Sequence, residues 1–89
     1  YYDISSANVF ERDQLRIYPN PTTGIILIEN IDVYDFISIY DYLGKSIFRK
    51  LLNNDNRIEI DISQFNEGLY FIELSNRNQK IISKLIKIN

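Results

Sequence analysis

The sequence predicts a single all-β domain, and three observations lead to this fold class. The chain has 89 residues, of which 45% are hydrophobic and 13% aromatic, and isoleucine, leucine, tyrosine and phenylalanine dominate the apolar set. β-Branched and aromatic residues suit a pleated, half-buried sheet, whereas alanine, the best helix former, occurs only at Ala7. Short apolar runs alternate with turn signals about every ten residues, a spacing typical of β-sandwiches and barrels.

Turn residues bound each predicted strand. The first strand ends at Pro19 and Pro21, because proline donates no hydrogen bond to a ladder and restricts the residue before it. Gly44 and Gly68 allow the positive φ that tight turns require. Polar runs rich in asparagine and aspartate separate the remaining strands. The predicted strands are 15–18, 25–29, 36–41, 46–51, 57–62, 69–75 and 80–88.

Alternation of apolar and polar residues predicts which face of each strand is buried. Residues 57–62 give the clearest pattern, because isoleucines alternate there with charged side chains. The last strand does not alternate cleanly, since Lys84 shares a face with three isoleucines. A bulge, a strand covered on both faces, and a strand that meets a partner on its second face all remain open. Ile26 and Ile28 are predicted to form the core face of the second strand. Residues that share one face are Ile37 and Ile39 in the third strand and Tyr70, Ile72 and Leu74 in the sixth.

The connections are short enough for antiparallel pairing throughout. We therefore predict a seven-stranded immunoglobulin-like antiparallel β-sandwich over residues 15–89. Residues 1–14 show no clean period and are predicted to link this domain to a preceding domain. A short strand near Val9 and Phe10, or a helical turn from Asn8 to Leu15, are the alternatives for this leader. Because the sequence contains no methionine, we expect it to be part of a larger or processed protein.

Composition argues against catalysis. The chain has no cysteine and no histidine, which removes disulfides, thiolates, the commonest general base and the usual zinc ligands. Two carboxylate pairs remain, Asp32 with Asp35 and Glu59 with Asp61, and the second pair alternates on a strand face where solvated charges belong. We predict no enzyme activity, no cofactor and no metal. A calcium site at residues 53–56, or at the first pair, is the alternative to ordinary polar loops.

Charge and hydropathy restrict the possible partners. The net charge of −2 and the sequence pI near 5.0 argue against nucleic acid. No apolar run is long enough to predict an integral membrane segment. The last stretch carries Arg77, Lys80, Lys84 and Lys87 without any acid, which indicates either a solvated strand face or a basic docking edge.

Four motifs then occur in a recognisable order. They are Ile17–Gly24 (IYPNPTTG), Ile39–Lys45 (IYDYLGK), the pair Ile60–Ser63 (IDIS) and Gly68–Ile72 (GLYFI), and the lysine-rich end of the last strand. Their order and spacing resemble those of the C-terminal sorting domains of the type IX secretion system of Bacteroidetes. The resemblance extends from residue 15 to residue 89.

The resemblance implies a secretion signal with an immunoglobulin-like fold. Such a domain directs an N-terminally fused cargo from the periplasm through the outer-membrane translocon, and its partners include shuttle and sortase proteins. It is then cleaved off, and the cargo reaches the outer-membrane surface or the medium. A cell-surface adhesive or carbohydrate-binding sandwich, with exposed aromatic side chains stacked on sugars, is the alternative function.

Candidate partner-binding residues come from these motifs and from the basic last strand. The two prolines give a rigid turn that loses little entropy on binding. The glycines serve backbone geometry, and Tyr70 is expected in the core with its hydroxyl bonded at a sheet corner. The last strand is expected to offer an edge for β-augmentation, with its lysines blocking unwanted pairing. The full set is Pro19, Asn20, Pro21, Gly24, Asp41, Gly44, Gly68, Tyr70, Lys80, Lys84 and Lys87.

Overall fold

Seven strands form in a computed structural model that describes residues 15–89. The leader predicted at 1–14 lies outside the described residues, together with its alternative strand and helical turn, so its boundary stays a prediction. Each strand agrees with its predicted bounds to within one residue at either end. The strands are β1 (Arg16–Tyr18), β2 (Ile25–Glu29), β3 (Phe36–Asp41), β4 (Ser46–Leu51), β5 (Arg57–Asp61), β6 (Gly68–Ser75) and β7 (Lys80–Lys87).

The strands form two antiparallel sheets, which confirms the predicted sandwich. One sheet has three strands in the order β1-β2-β5, and the other has four in the order β4-β3-β6-β7. Every pair of neighbouring strands is antiparallel, as the short connections predict. A register shift between Ile39 and Tyr40 bends β3 against β4.

The core lies between the sheets and contains the faces that alternation predicts. Ile26 and Ile28 of β2 face Ile37 and Ile39 of β3 as fully buried side chains. On β5 the pattern weakens towards its start, where Ile58 is only half-buried, because β5 is an edge strand. The buried apolar set is Ile26, Ile28, Ile31, Tyr34, Ile37, Ile39, Leu52, Ile60, Ile62, Tyr70, Ile72, Leu74 and Leu85.

The last strand is regular, so the bulge considered for it is wrong. β7 pairs with β6 in one continuous register from Lys80 to Lys87. Its inner face carries Leu85, which is fully buried, and its outer face carries Lys84 between exposed isoleucines. The irregular hydropathy of β7 therefore comes from apolar residues on the outer face and a lysine on the inner one.

The two sides of the sandwich, where one sheet edge meets the other, differ. On one side the turn at residues 19–24 crosses to β7 through a parallel bridge between Thr22 and Lys87, and we call this the closed seam. On the other side the edge strands β4 and β5 border a groove of about 450 Å³, which we call the open seam.

Candidate recognition surface

The first turn is bound to the last strand by an asparagine side chain. Asn20 donates its Nδ2 amide to the C=O of Lys84 at 2.9 Å, and its Oδ1 accepts the N–H of Ile86 at 3.0 Å. One side-chain amide therefore satisfies a donor and an acceptor on the outer edge of β7, as a neighbouring strand would. The peptide bonds preceding Pro19 and Pro21 are both cis.

Thr22 continues this contact with its backbone. Its N–H donates to the C=O of Ile86 at 2.9 Å, and its C=O accepts the N–H of Ile88 at 2.8 Å. The hydroxyl donates to the C=O of Ile25 at 3.2 Å and accepts the N–H of Gly24 at 3.1 Å. Thr22 is almost fully buried, and the sequence reasoning missed it. The available signal was a hydroxyl residue two positions before a glycine, which favours a local side-chain turn.

The turn after β3 is organised by Asp41. Its Oδ1 accepts the N–H groups of Leu43 at 3.0 Å and of Lys45 at 2.9 Å. Its C=O accepts the N–H of Gly44, which adopts a φ of 89°. Asp41 and Gly44 thus stabilise a tight hairpin turn. Local backbone geometry therefore explains why both residues occur in the motif.

A tyrosine fixes the corner that leads into β6. The hydroxyl of Tyr70 donates to the C=O of Asn66 at 2.6 Å, and its ring lies 5.2 Å from that of Phe65. Burial raises the pKa of Tyr70, and the nearby charge of Asp41 adds to this, so the hydroxyl stays protonated and remains a donor. Gly68 begins β6 with a φ of 149°, which disfavours any residue with a side chain.

The end of β5 joins the same region. Ser63 hydrogen-bonds Asp61 through its side chain and through its N–H, at 2.9 Å for the latter, and these bonds lower the pKa of the aspartate. The N–H of Ile62 donates to the C=O of Gly24 at 2.8 Å. The IDIS motif is therefore attached to the proline-rich turn.

These turns all lie at one end of the sandwich, which we call the motif end. Antiparallel pairing sets this geometry, since Asp41 lies opposite Tyr70, and Gly68 lies opposite Lys87. The start of β1 lies at the other end, where Arg16 pairs with the last residue of β2. Motifs that are far apart in sequence thus form one surface, and β1 begins away from it.

A family model described as a secretion system C-terminal sorting domain matches residues 16–89. The chain belongs to this family. An endo-acting ulvan lyase from Formosa agariphila is 32% identical over 81 residues, a match that covers 89% of this chain and 16% of the lyase. The chain thus spans less than a fifth of the length of that relative.

Membership establishes what the domain does. A type IX sorting domain directs an attached cargo across the outer membrane to the cell surface or the medium. The family and the fold class predicted from the sequence are both confirmed. Within residues 15–89, no helix has the length and apolar character needed to cross a membrane.

The lysines of the sorting domain differ in their surroundings. Lys80 is exposed and lies 3.6 Å from a carboxylate oxygen of Glu73, a surface pair that contributes little to stability. Lys84 is exposed on the outer face of β7. The structure corrects the expectation for Lys87, which is only 5% exposed and whose Nζ donates to the C=O of Ile88 at 3.2 Å. Lys87 points inward beneath the first turn, so it is no exposed contact.

The edge of β7 is only partly available. Its outward backbone groups from the Lys84 C=O to the Ile88 N–H are taken by the first turn. Alternation of ladder bonds leaves the N–H and C=O of Ile82 directed outward. Strand addition to β7 is thus restricted to its first half.

Two loops considered for calcium have ordinary turn contacts. Asp55 Oδ2 accepts the N–H of Asn53 at 3.4 Å, and the N–H of Asp35 donates to the C=O of Ser75 at 2.8 Å. Across the described part of the chain, no group of three or more acidic side chains is placed to hold a metal ion.

Proposed function

We propose that this sorting domain is a non-catalytic, removable address. It engages the type IX translocon and its outer-membrane shuttle through the motif end and the last strand while in the periplasm. A sortase-like peptidase then cleaves it from the N-terminally fused cargo after translocation. The observation that carries this proposal is the attachment of the YPNP turn to the last strand, which places residues more than sixty positions apart in direct contact.

The direction of the chain supports this role. β1 starts at the end opposite the motif end, and the longest dimension of the described domain is 41 Å. The N-terminal side of the described domain, from which a cargo is fused, therefore begins at the far end of the sandwich. The motif end stays accessible to a receptor while the cargo is still attached, and the leader at 1–14 is the place for cleavage.

The surface of the motif end supports a preorganised contact. Pro19 and Pro21 are exposed, and Asn20 between them is held by two hydrogen bonds. A turn that is fixed before binding loses little conformational entropy when a receptor takes it up. The other proposed contact residues are Lys80 and Lys84 of the last strand, while the motif glycines, Asp41 and Tyr70 hold the backbone that presents them.

The carboxylates support a non-catalytic role. Asp61 is exposed, and the hydrogen bonds from Ser63 lower its pKa, which keeps it ionised and makes it a poor general acid. The Oδ1 of Asp41 already accepts two turn N–H groups. The lowered pKa of Asp61 is the opposite of the raised pKa that acid catalysis at neutral pH requires.

A secretion assay tests the proposal. Residues 1–89 are fused behind a fluorescent passenger with an ordinary export signal and expressed in a type IX host with and without a working translocon. We expect the passenger outside the cell only when the translocon works, and without the domain attached. Passenger retained in the periplasm with a folded domain would overturn the address, and glycan and adhesion assays would then test the alternative. If the secreted passenger still carries the domain, the proposed cleavage would be wrong and the address function would stand.

A further inference from the structure

The outer face of the four-stranded sheet is unusual for an exposed surface. On β7, Ile82 and Ile86 are 58% and 43% exposed, and Ile88 just beyond the strand is 44% exposed. In the ladder with β6, Leu69 lies opposite Ile86, and Phe71 lies opposite Lys84. We call Leu69, Phe71, Ile82, Lys84 and Ile86 the isoleucine face.

A single cation lies at its centre. Lys84 is flanked by Ile82 and Ile86 along β7 and faces Phe71 across the ladder. The diagonal acid, Glu73, is already within 3.6 Å of the Lys80 ammonium. Among residues 15–89, no acidic side chain forms an ion pair with Lys84, so its charge lies unmatched among apolar side chains.

The other sheet has a different outer face. There, Glu29 lies between two arginines, 3.7 Å from a guanidinium nitrogen of Arg16 and 3.8 Å from one of Arg57. These charges satisfy one another within the domain. The two faces therefore differ in that the arginines beside Glu29 are paired within the domain, whereas Lys84 has no acidic partner among residues 15–89.

The closed seam determines how a partner reaches this face. Asn20 and Thr22 already pair with the backbone edge beside Lys84 and Ile86, so a foreign strand cannot add there. The side chains of the same residues project freely from the sheet. A partner of this half of β7 therefore contacts side chains on the face and not backbone at the edge.

We propose that the isoleucine face is the docking surface for a protein of the sorting machinery, and that this protein presents apolar side chains around a carboxylate that pairs with Lys84. The proposal rests on the sorting function proposed above and names the surface and the chemistry of its receptor. Charge complementarity selects this occupant, because an apolar partner without an acid would leave the ammonium desolvated and unpaired. A second copy of the same face would oppose two lysines.

Paired variants of the passenger fusion test the surface. Ile82→Gln with Ile86→Gln removes apolar contact, and Val33→Gln with Leu51→Gln is the control, because Val33 and Leu51 are also exposed but lie at the end of the sandwich away from the motif end. Lys84→Glu reverses the central charge, and Lys50→Glu makes the same change on an exposed residue of β4. We expect secretion to fall at least about tenfold for both face variants and less than about twofold for both controls, with thermal unfolding unchanged in all four.

A suppressor search tests the carboxylate. Starting from Lys84→Glu, we expect restored secretion from an Asp→Lys or Glu→Lys change in a translocon or shuttle protein, and no rescue of the double isoleucine variant by the same change. Normal secretion of both face variants, when the unaltered fusion still depends on the translocon, would overturn the surface while leaving the sorting function intact. Loss of translocon dependence in the unaltered fusion would instead overturn the sorting function.

Two other occupants give distinct results. Flotation of the purified fusion with phosphatidylglycerol vesicles, lost on Lys84→Glu without any secretion defect, would assign the face to an anionic membrane and overturn the protein partner. A dimer in light scattering that dissociates on Ile82→Gln, again without a secretion defect, would assign it to a second copy and overturn the proposal likewise.

Discussion

The closed seam and the open seam are both bordered by edge strands, but they differ in whether another segment pairs with the strand backbone. At the closed seam the backbone of β7 is paired by a turn that comes more than sixty residues earlier. At the open seam β4 and β5 leave a groove in which Phe48 and Ile58 are only partly covered. Unpaired edges are sites of unwanted strand pairing. The first turn covers the edge of β7, which carries the last motif. At the open seam, charged side chains such as Lys50 and Glu59 oppose unwanted strand pairing.

Loss of the strand at the closed seam is expected to have the largest effect. Deleting residues 84–89 removes the fully buried Leu85, and a single Leu→Ala change at such a site costs about 2–5 kcal/mol. The deletion also removes the β7 partners of Gly68 to Phe71 and the backbone groups that the first turn binds. We expect no cooperative thermal transition by circular dichroism, and no secretion.

Removal of Asn89 alone is the control for this deletion. Asn89 is exposed and lies beyond the last strand, so its loss should shift Tm by less than about 2 °C. A cooperative transition near the original Tm after deletion of residues 84–89 would show that the closed seam does not hold the fold together.

Substitution of Gly68 at the motif end is expected to cause the next largest loss of stability. Gly68 has a φ of 149°, and the space that a Cβ would occupy there is open, so Gly68→Val costs backbone strain of about 1–3 kcal/mol without a clash. For a domain of this size that lowers Tm by about 5–20 °C. Gly24→Ala is the matched control, because its added Cβ would meet the Ser63 Cβ at an ordinary 3.5 Å. Equal losses at the two positions would refute the conformational explanation.

Loss of the Asn20 contact is expected to reduce stability by a smaller amount, which depends on pH. Asn20→Asp replaces the donor to the Lys84 carbonyl with a second acceptor, which costs about 1–2 kcal/mol at neutral pH. Below about pH 4 the carboxyl is protonated and donates again, so the deficit in chemical denaturation should shrink. Asn78→Asp, in the exposed hairpin turn between β6 and β7, is the control. A deficit that is the same at about pH 3, where the carboxyl is mostly protonated, and at about pH 7, where it is ionised, would count against this contact.

Asp61 should give the smallest effect. Its pKa in the folded protein is lowered by the bonds from Ser63, so its stabilisation is present above the unfolded pKa and is lost as pH falls through the folded one. Asp61→Asn should be slightly less stable than the parent at neutral pH and equal to it in acid. Glu59→Gln, on the same exposed face of β5, should show no such convergence. The comparison is made by urea unfolding at several pH values.

Particular residues explain which buried faces could be predicted from the sequence and which could not. Strict alternation over residues 57–62 gave the buried face of β5, because a strand between core and water has only two faces. The same rule was ambiguous for β7, whose outer face is apolar. The contact role expected of Lys87 came from the basic run and not from alternation, and Lys87 lies buried on the inner face beneath the first turn. Thr22 was missed because its burial depends on β7 and not on its neighbours in sequence.

By itself, the sequence determined the strands, the buried faces of those that alternate cleanly, the turn chemistry and the family, because each of these depends on residues close together in the chain or on motif order. Only the tertiary structure decided that the YPNP turn pairs with the last strand, that Lys87 is covered, and that Lys84 has no acidic partner within residues 15–89. These features join residues that are distant in sequence. The physical reason is that hydrogen bonds and burial between distant segments depend on how the two sheets pack, and local periodicity carries no information about that packing.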